Sequence, residues 1–290
     1  MKFRAFIFTT ILVFLSCFAF SQVEPILTKT DYQKLQQEYE INKFLNINLK
    51  RTYLMEVSGA EITGRKALVS EQYYNKNGTP SKLIMFDSVG NQLKYNLYKF
   101  DENRLKTEEI YFEANNSLRG GFALEHNENG QTTATYLYNQ NSEIVSKQVF
   151  SYDKNENIIE AYIYNSENQL SGVRKYYYDK SFETGKIKAI SRHEPQNHKI
   201  DSLSFKYNKN DEVIEKLFYD ENSVLLQKLQ YNYNNSGALT NTIEINYITK
   251  KTRLISYSYD IYENIESIIE SVNDEIISFL RFEYFSKKED

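Results

Sequence analysis

The sequence predicts an all-β fold: a long antiparallel β-meander of 26-residue two-strand repeats, forming a twisted or coiled sheet, with a short N-terminal helix ahead of it. Three observations carry that expectation. Aromatic residues followed by Asn, Asp or Glu and a polar stretch recur at alternating intervals of 12 and 14 residues. Between them, apolar residues return at a spacing of two, the period of a strand and not of a helix. The polar stretches are rich in Asn and Gly, residues that turn the chain and accept positive φ.

The first element is Met1 to Ser21. Lys2 and Arg4 precede an apolar run from Phe6 to Phe20, and Ala19-Phe20-Ser21 sets small residues around a cleavage site. This is the layout of a secretory signal peptide over residues 1–21. The run is shorter than the roughly 20 residues a bilayer span needs. Cleavage removes Cys17 and, of 35 Lys and Arg, only Lys2 and Arg4; 33 basic residues then face 39 acidic ones, a balance of −6. Phe14-Leu15-Ser16-Cys17 also resembles a bacterial lipobox, with Phe14 where Leu is usual. Acylation of Cys17 would tether the chain to a membrane leaflet, as an outer-membrane lipoprotein. Either route exports the chain to the periplasm or the cell surface.

Residues 22–65 form the second unit. Thr30-Asp31-Tyr32-Gln33 reads as a capping box, with Tyr32, Leu35 and Tyr39 on one helical face. A helix is expected over about 30–43, then strands over 46–57 and 66–74. The unit is expected to cap the first sheet edge, because a repeat array needs its ends blocked.

Residues 66–290 hold the repeat. Its anchors are Tyr74, Phe86, Phe100, Phe112, Tyr138, Tyr152, Tyr164, Tyr178, Tyr207, Tyr219, Tyr233 and Tyr259, with His126 filling the gap before Tyr138. Three extra residues interrupt the rhythm between Tyr178 and Tyr207. Two places before each anchor stands an apolar or aromatic residue, among them Tyr98, Leu124, Phe150, Tyr176, Phe205, Tyr231 and Tyr257. Asn75-Lys76-Asn77-Gly78 and Asn127-Glu128-Asn129-Gly130 have the residues of a type I turn closed by a left-handed residue. About fourteen strands are expected between residues 66 and 285.

Phe150-Ser151-Tyr152-Asp153-Lys154-Asn155-Glu156-Asn157-Ile158 and Leu217-Phe218-Tyr219-Asp220-Glu221-Asn222-Ser223-Val224-Leu225 resemble the YD (RHS-type) repeats of secreted bacterial proteins. Tyr73-Tyr74-Asn75-Lys76-Asn77-Gly78 is similar to the MORN-variant repeats of some antitoxin-like proteins. In the large RHS proteins such repeats coil into a shell around a C-terminal toxin. This chain is far shorter and stays in strand-like sequence from Phe279 to Phe285.

Several functions are excluded on chemical grounds. A net charge of −4 gives no basic face for nucleic acid. One Cys and three His leave no Cys-rich zinc module and no multi-His centre. Asp153-x-Asn155-x-Asn157 echoes a calcium loop, but no Glu closes it and the hairpin turn already explains every Asx. No nucleophile motif or phosphate loop is present. The expectation is a protein that is not an enzyme and binds no cofactor or metal.

What remains is binding. Tyr98, Tyr176, Tyr231 and Tyr257 recur as a periodic aromatic surface suited to stacking on a glycan or a protein ligand. His193 and His198 join them as candidates, because they lie in Ser181 to Ser202, the stretch that breaks the rhythm. The leading expectation is an exported repeat protein presenting an extended Tyr-rich surface, with membrane contact only through a lipidated Cys17. The alternative from the MORN-like resemblance is an exported immunity protein that neutralises a toxin. A hollow carrier for an apolar ligand is the third, and requires the sheet to close.

Overall fold

The computed structural model describes residues 44–58, 61–179 and 185–286. The signal-peptide, lipobox and helix expectations over residues 1–43 lie outside the described residues. Among the described residues there is no helix. The chain runs through β1 (Ile47–Ser58), β2 (Glu61–Tyr74), β3 (Pro80–Phe86), β4 (Gln92–Phe100), β5 (Lys106–Glu113) and β6 (Leu118–His126). It continues through β7 (Thr132–Asn139), β8 (Ile144–Tyr152), β9 (Ile158–Asn165), β10 (Leu170–Tyr178), β11 (Ile187–His193) and β12 (Lys199–Tyr207). It ends with β13 (Val213–Asp220), β14 (Leu225–Tyr233), β15 (Leu239–Asn246), β16 (Lys251–Tyr259), β17 (Ile265–Val272) and β18 (Glu275–Ser286).

Each strand pairs antiparallel with the next, and one turn chemistry is used repeatedly. Asp153 is representative. Its Oδ1 accepts from the backbone N–H of Asn155 at 2.8 Å and of Asn157 at 2.9 Å. Its own N–H donates to the Asn157 carbonyl, and Glu156 takes the left-handed position at φ 65°. Asn127, Asn139, Asn165, Asn208, Asp220 and Asn234 hold their turns by the same bonds. The closing residue leaves a bulge where the next strand begins, as at Ser151/Tyr152.

The structure corrects the expected open, twisted or coiled meander. β1 pairs with β2 on one side (Lys50↔Gln72) and with β18 on the other (Lys50↔Tyr284), so the sheet closes into an 18-stranded barrel. An even number of alternating strands is what lets the first and last meet antiparallel. The N-terminal strand is therefore the closing stave of the wall, not a cap on an edge, and closure removes the edges altogether. The expected strand count was also low: β2 to β18 number seventeen.

Register separates the two faces. Phe150 lies opposite Ala161, Ala161 opposite Arg174, and Tyr176 opposite Ile190, which lies opposite Leu203. This face carries the recess lined by Gln72, Tyr98 and Leu124, drawn from three non-adjacent strands, and is the concave one. A circle of eighteen strands about 4.8 Å apart and tilted by about 40° is about 36 Å across, too wide for side chains to fill. Burial agrees. Only ten apolar residues are buried among the described residues, and the one apolar cluster runs along neighbouring strands of a single wall: Phe150, Ile158, Ala161, Tyr176, Ile187 and Ile190.

Candidate functional site

The anchors divide between the faces. Those ending odd-numbered strands (Phe86, Phe112, Tyr138, Tyr164, Tyr219) share the outer face with residues such as Tyr95 and Tyr136. Those ending even-numbered strands point inward and ring one mouth of the barrel. There they form a hydrogen-bond ladder. Tyr152, Tyr178, Tyr207, Tyr233 and Tyr259 donate their hydroxyls to the carbonyls of Thr132, Ile158, Ile187, Val213 and Leu239, each 20 residues upstream, at 2.6–2.8 Å. Tyr284 does the same to Ile265 at 2.9 Å. Each acceptor is the first residue of a strand, beside the bulge, where the sheet does not satisfy its carbonyl. His126 takes a tyrosine's place, with Nε2 2.9 Å from the Lys106 carbonyl and Nδ1 3.3 Å from Thr132 Oγ1, so Nε2 carries the proton. Burial pushes the hydroxyls of Tyr152, Tyr178 and Tyr284 up, and that of Tyr207 up to about 12. A phenolate there would be desolvated and could not donate.

One tier deeper stands a second aromatic ring: Phe150, Tyr176, Phe205, Tyr231, Tyr257 and Phe282 on β8 to β18. Lys216 crosses this tier with its ammonium 5.6 Å from the Phe205 ring and 5.7 Å from that of Tyr231. On β2, β4 and β6 the tier reads Gln72, Tyr98 and Leu124, and the mouth reads Tyr74, Phe100 and His126. The smaller side chains leave a recess of about 450 Å3 between these strands. Phe44 stacks on Tyr74 at 4.6 Å beside it.

Charged groups share the inner face with the aromatic tiers. Glu109 is 1% exposed; Asn96 Nδ2 donates to it at 3.1 Å and Lys106 Nζ pairs with it at 3.1 Å. Burial, and then the Glu109 charge, push the Tyr98 and Tyr111 hydroxyls up. Across the lumen, Arg253 bridges Glu270 at 2.5 Å and Glu244 at 3.3 Å.

The structure places all four tyrosine candidates, Tyr98, Tyr176, Tyr231 and Tyr257, on the inner wall. His193 and His198 are not with them. They stand at the opposite mouth, where His193 Nε2 meets Ser191 Oγ at 2.7 Å and an exposed His198 lies 3.6 Å from Glu194. Sequence reasoning missed Asn96, Lys106, Glu109 and the ladder itself. The ladder had a signal: from Phe100 to Tyr259, each anchor that ends an even-numbered strand stands 20 residues after the first residue of a strand. The Glu109 network had none, since it occurs in one repeat only.

No family model matches the chain, and no curated protein does. Among solved structures the chain is similar to a porin-like protein from Bacteroides uniformis (TM-score 0.43, 8% identity, 82% of this chain and 96% of that one). It is also similar to the TcdB2-TccC3 structure (TM-score 0.32, 11% identity, 79% of this chain and 15% of that one). The expected open array of YD (RHS-type) repeats is corrected: the repeating hairpins close into a barrel. At these levels of similarity, function rests on the chain's own residues.

Proposed function

We propose that this chain is an exported, water-immersed barrel that holds a small guest in its lumen, without catalysis. The observation that carries this reading is closure itself: it sets two tiers of aromatic rings around an inner wall, while pairs such as Lys99–Glu108 and Arg51–Glu71 face outward. The extended Tyr-rich surface expected of an open sheet thus lies along an inner wall. Export rests on Lys2, Arg4 and the apolar run of the N-terminal residues. A periplasmic destination, or tethering through Cys17, is the finer form of the same proposal.

The outer wall favours water over lipid. Lys99 pairs with Glu108 at 2.5 Å, Lys206 and Lys228 with Glu215 at 3.1 and 3.5 Å, and Arg51 with Glu71 at 2.8 Å, all facing outward. A Lys or Arg on a lipid-facing wall costs about 2–4 kcal/mol at the midplane. Strands of about eight residues tilted by about 40° also raise a wall only about 20 Å tall, short of the roughly 25 Å apolar band of a spanning barrel.

The test is to express residues 22–290 and purify them without detergent. A monodisperse, β-rich species in size-exclusion chromatography is expected, and native mass spectrometry of the full chain from its source envelope should show added mass from a non-covalent small molecule. Recovery only in detergent would overturn the water-immersed barrel.

A further inference from the structure

The geometry points to a specific site within that lumen: the recess between β2, β4 and β6 binds a neutral, flat, ring-bearing molecule. The inference rests on the guest-holding reading above and assigns its position and ligand class.

Position comes from the repeat's own departures. In six successive even strands, β8 to β18, the mouth residue is Tyr and the tier beneath is Phe or Tyr, and these rings fill the wall. On β6 the same two places are His126 and Leu124, on β4 the mouth is Phe100, and on β2 the lower place is Gln72. The volume given up there is the recess. Its roughly 450 Å3 falls within the range of small-molecule sites.

Ligand class comes from the walls. Tyr74, Tyr98, Phe100, Leu105 and Leu124 present rings and methyls. The polar groups at the recess are already engaged. Gln72 Nε2 donates to the Lys82 carbonyl at 3.0 Å, His126 meets Lys106 O and Thr132 through its two nitrogens, and Lys106 is neutralised by Glu109. What the recess offers is aromatic stacking, which selects flat rings and gives no net charge to recruit an anion.

The test uses two fluorescent probes, neutral N-phenyl-1-naphthylamine and anionic 1-anilinonaphthalene-8-sulfonate, with the chain from residue 22 onward. Leu124→Phe restores the repeat's own residue class at that place and fills the recess. Leu229→Phe adds the same bulk to the inner wall on β14 and serves as the control, with circular dichroism melting confirming that both fold. The neutral probe should bind the wild type and Leu229→Phe alike, and at least about tenfold more weakly to Leu124→Phe. Equal binding by all three proteins overturns the recess as the site while leaving a guest elsewhere in the lumen. Absence of binding to the wild type also overturns the recess; the container reading then stands or falls by its detergent-free behaviour. Tighter binding of the anionic probe overturns the neutral ligand class.

Discussion

Two sectors of one wall follow the same repeat with different results. From β8 to β12 the mouth ladder is unbroken, and Phe150, Tyr176 and Phe205 pack along the tier beneath with Ala161 and Ile190 between them. From β2 to β6 the ladder has Phe100, which lacks a donor, and His126, which keeps one; the tier beneath has Gln72 and Leu124, and Glu109 stands where Ala161 and Ile190 stand in the other sector. The first sector is stabilised by apolar contact. The second exchanges contact for a recess and an ion pair in which Glu109 is buried. The repeat builds a wall, and its departures shape what the wall encloses.

The largest effect expected to expose the comparison is alkaline unfolding. The ladder tyrosines have hydroxyls raised above the ordinary value near 10, Tyr207 to about 12. The folded state therefore holds these protons more tightly than the unfolded state. Their contribution is complete below about pH 10 and is lost as pH rises toward about 12. Circular dichroism across pH 8–12 should show the barrel losing stability over that window. Replacing Tyr152, Tyr178 and Tyr207 together by Phe should flatten the alkaline slope while lowering stability at pH 7. An unchanged slope would show that the ladder does not govern it.

Next in size is Tyr176→Leu, in the packed sector. It imitates Leu124 at the equivalent place on β10 and should cost about 2–4 kcal/mol as a large-to-small change in a packed cluster. It should also open a second recess that takes up the neutral probe. Stability without loss, or no new probe binding, would show that ring size is not what separates the sectors.

Lys106→Met carries the comparison into the recess sector. It leaves Glu109, 1% exposed, with Asn96 but without its cation; because Lys106 is itself 31% exposed, the loss expected is that of a hydrogen bond to a charged group, about 1.5–3 kcal/mol. Urea titration should show that loss. The double variant Lys106→Met, Glu109→Gln should recover most of it. If the single variant is as stable as the wild type, Glu109 is not held by Lys106.

Much of this was legible in sequence, and the limit has a physical cause. Hairpins, turns and strand polarity are local, so Tyr152-Asp153 followed by Asn155 and Asn157 announced its turn and the spacing of two announced its strand. Closure is not local. It sums a small curvature over every strand and becomes visible only where Lys50 meets both Gln72 and Tyr284. The same blindness made an inner wall read as the extended surface of an open sheet. Tyr98, Tyr176, Tyr231 and Tyr257 were identified by period, but a period does not say which side of a sheet is concave. Glu109 has no local mark at all: in Glu108-Glu109 two like residues follow one another, and only the fold turns one outward to Lys99 and buries the other.

The smallest effect is the most specific to the ladder. Tyr178→Phe removes one hydroxyl, donating at 2.8 Å to Ile158, and leaves every ring contact in place. The Ile158 carbonyl beside the bulge then has no donor, which costs about 1 kcal/mol. His126→Tyr tests the converse. The imidazole already satisfies the Lys106 carbonyl at 2.9 Å, so a hydroxyl in its place gains no bond and stability should move by less than about 0.5 kcal/mol. Paired urea titrations distinguish this account from one in which Tyr is favoured at the mouth for its ring alone. In that case Tyr178→Phe would be silent, while His126→Tyr, which brings a full ring to the recess, would stabilise the barrel more than any hydroxyl does.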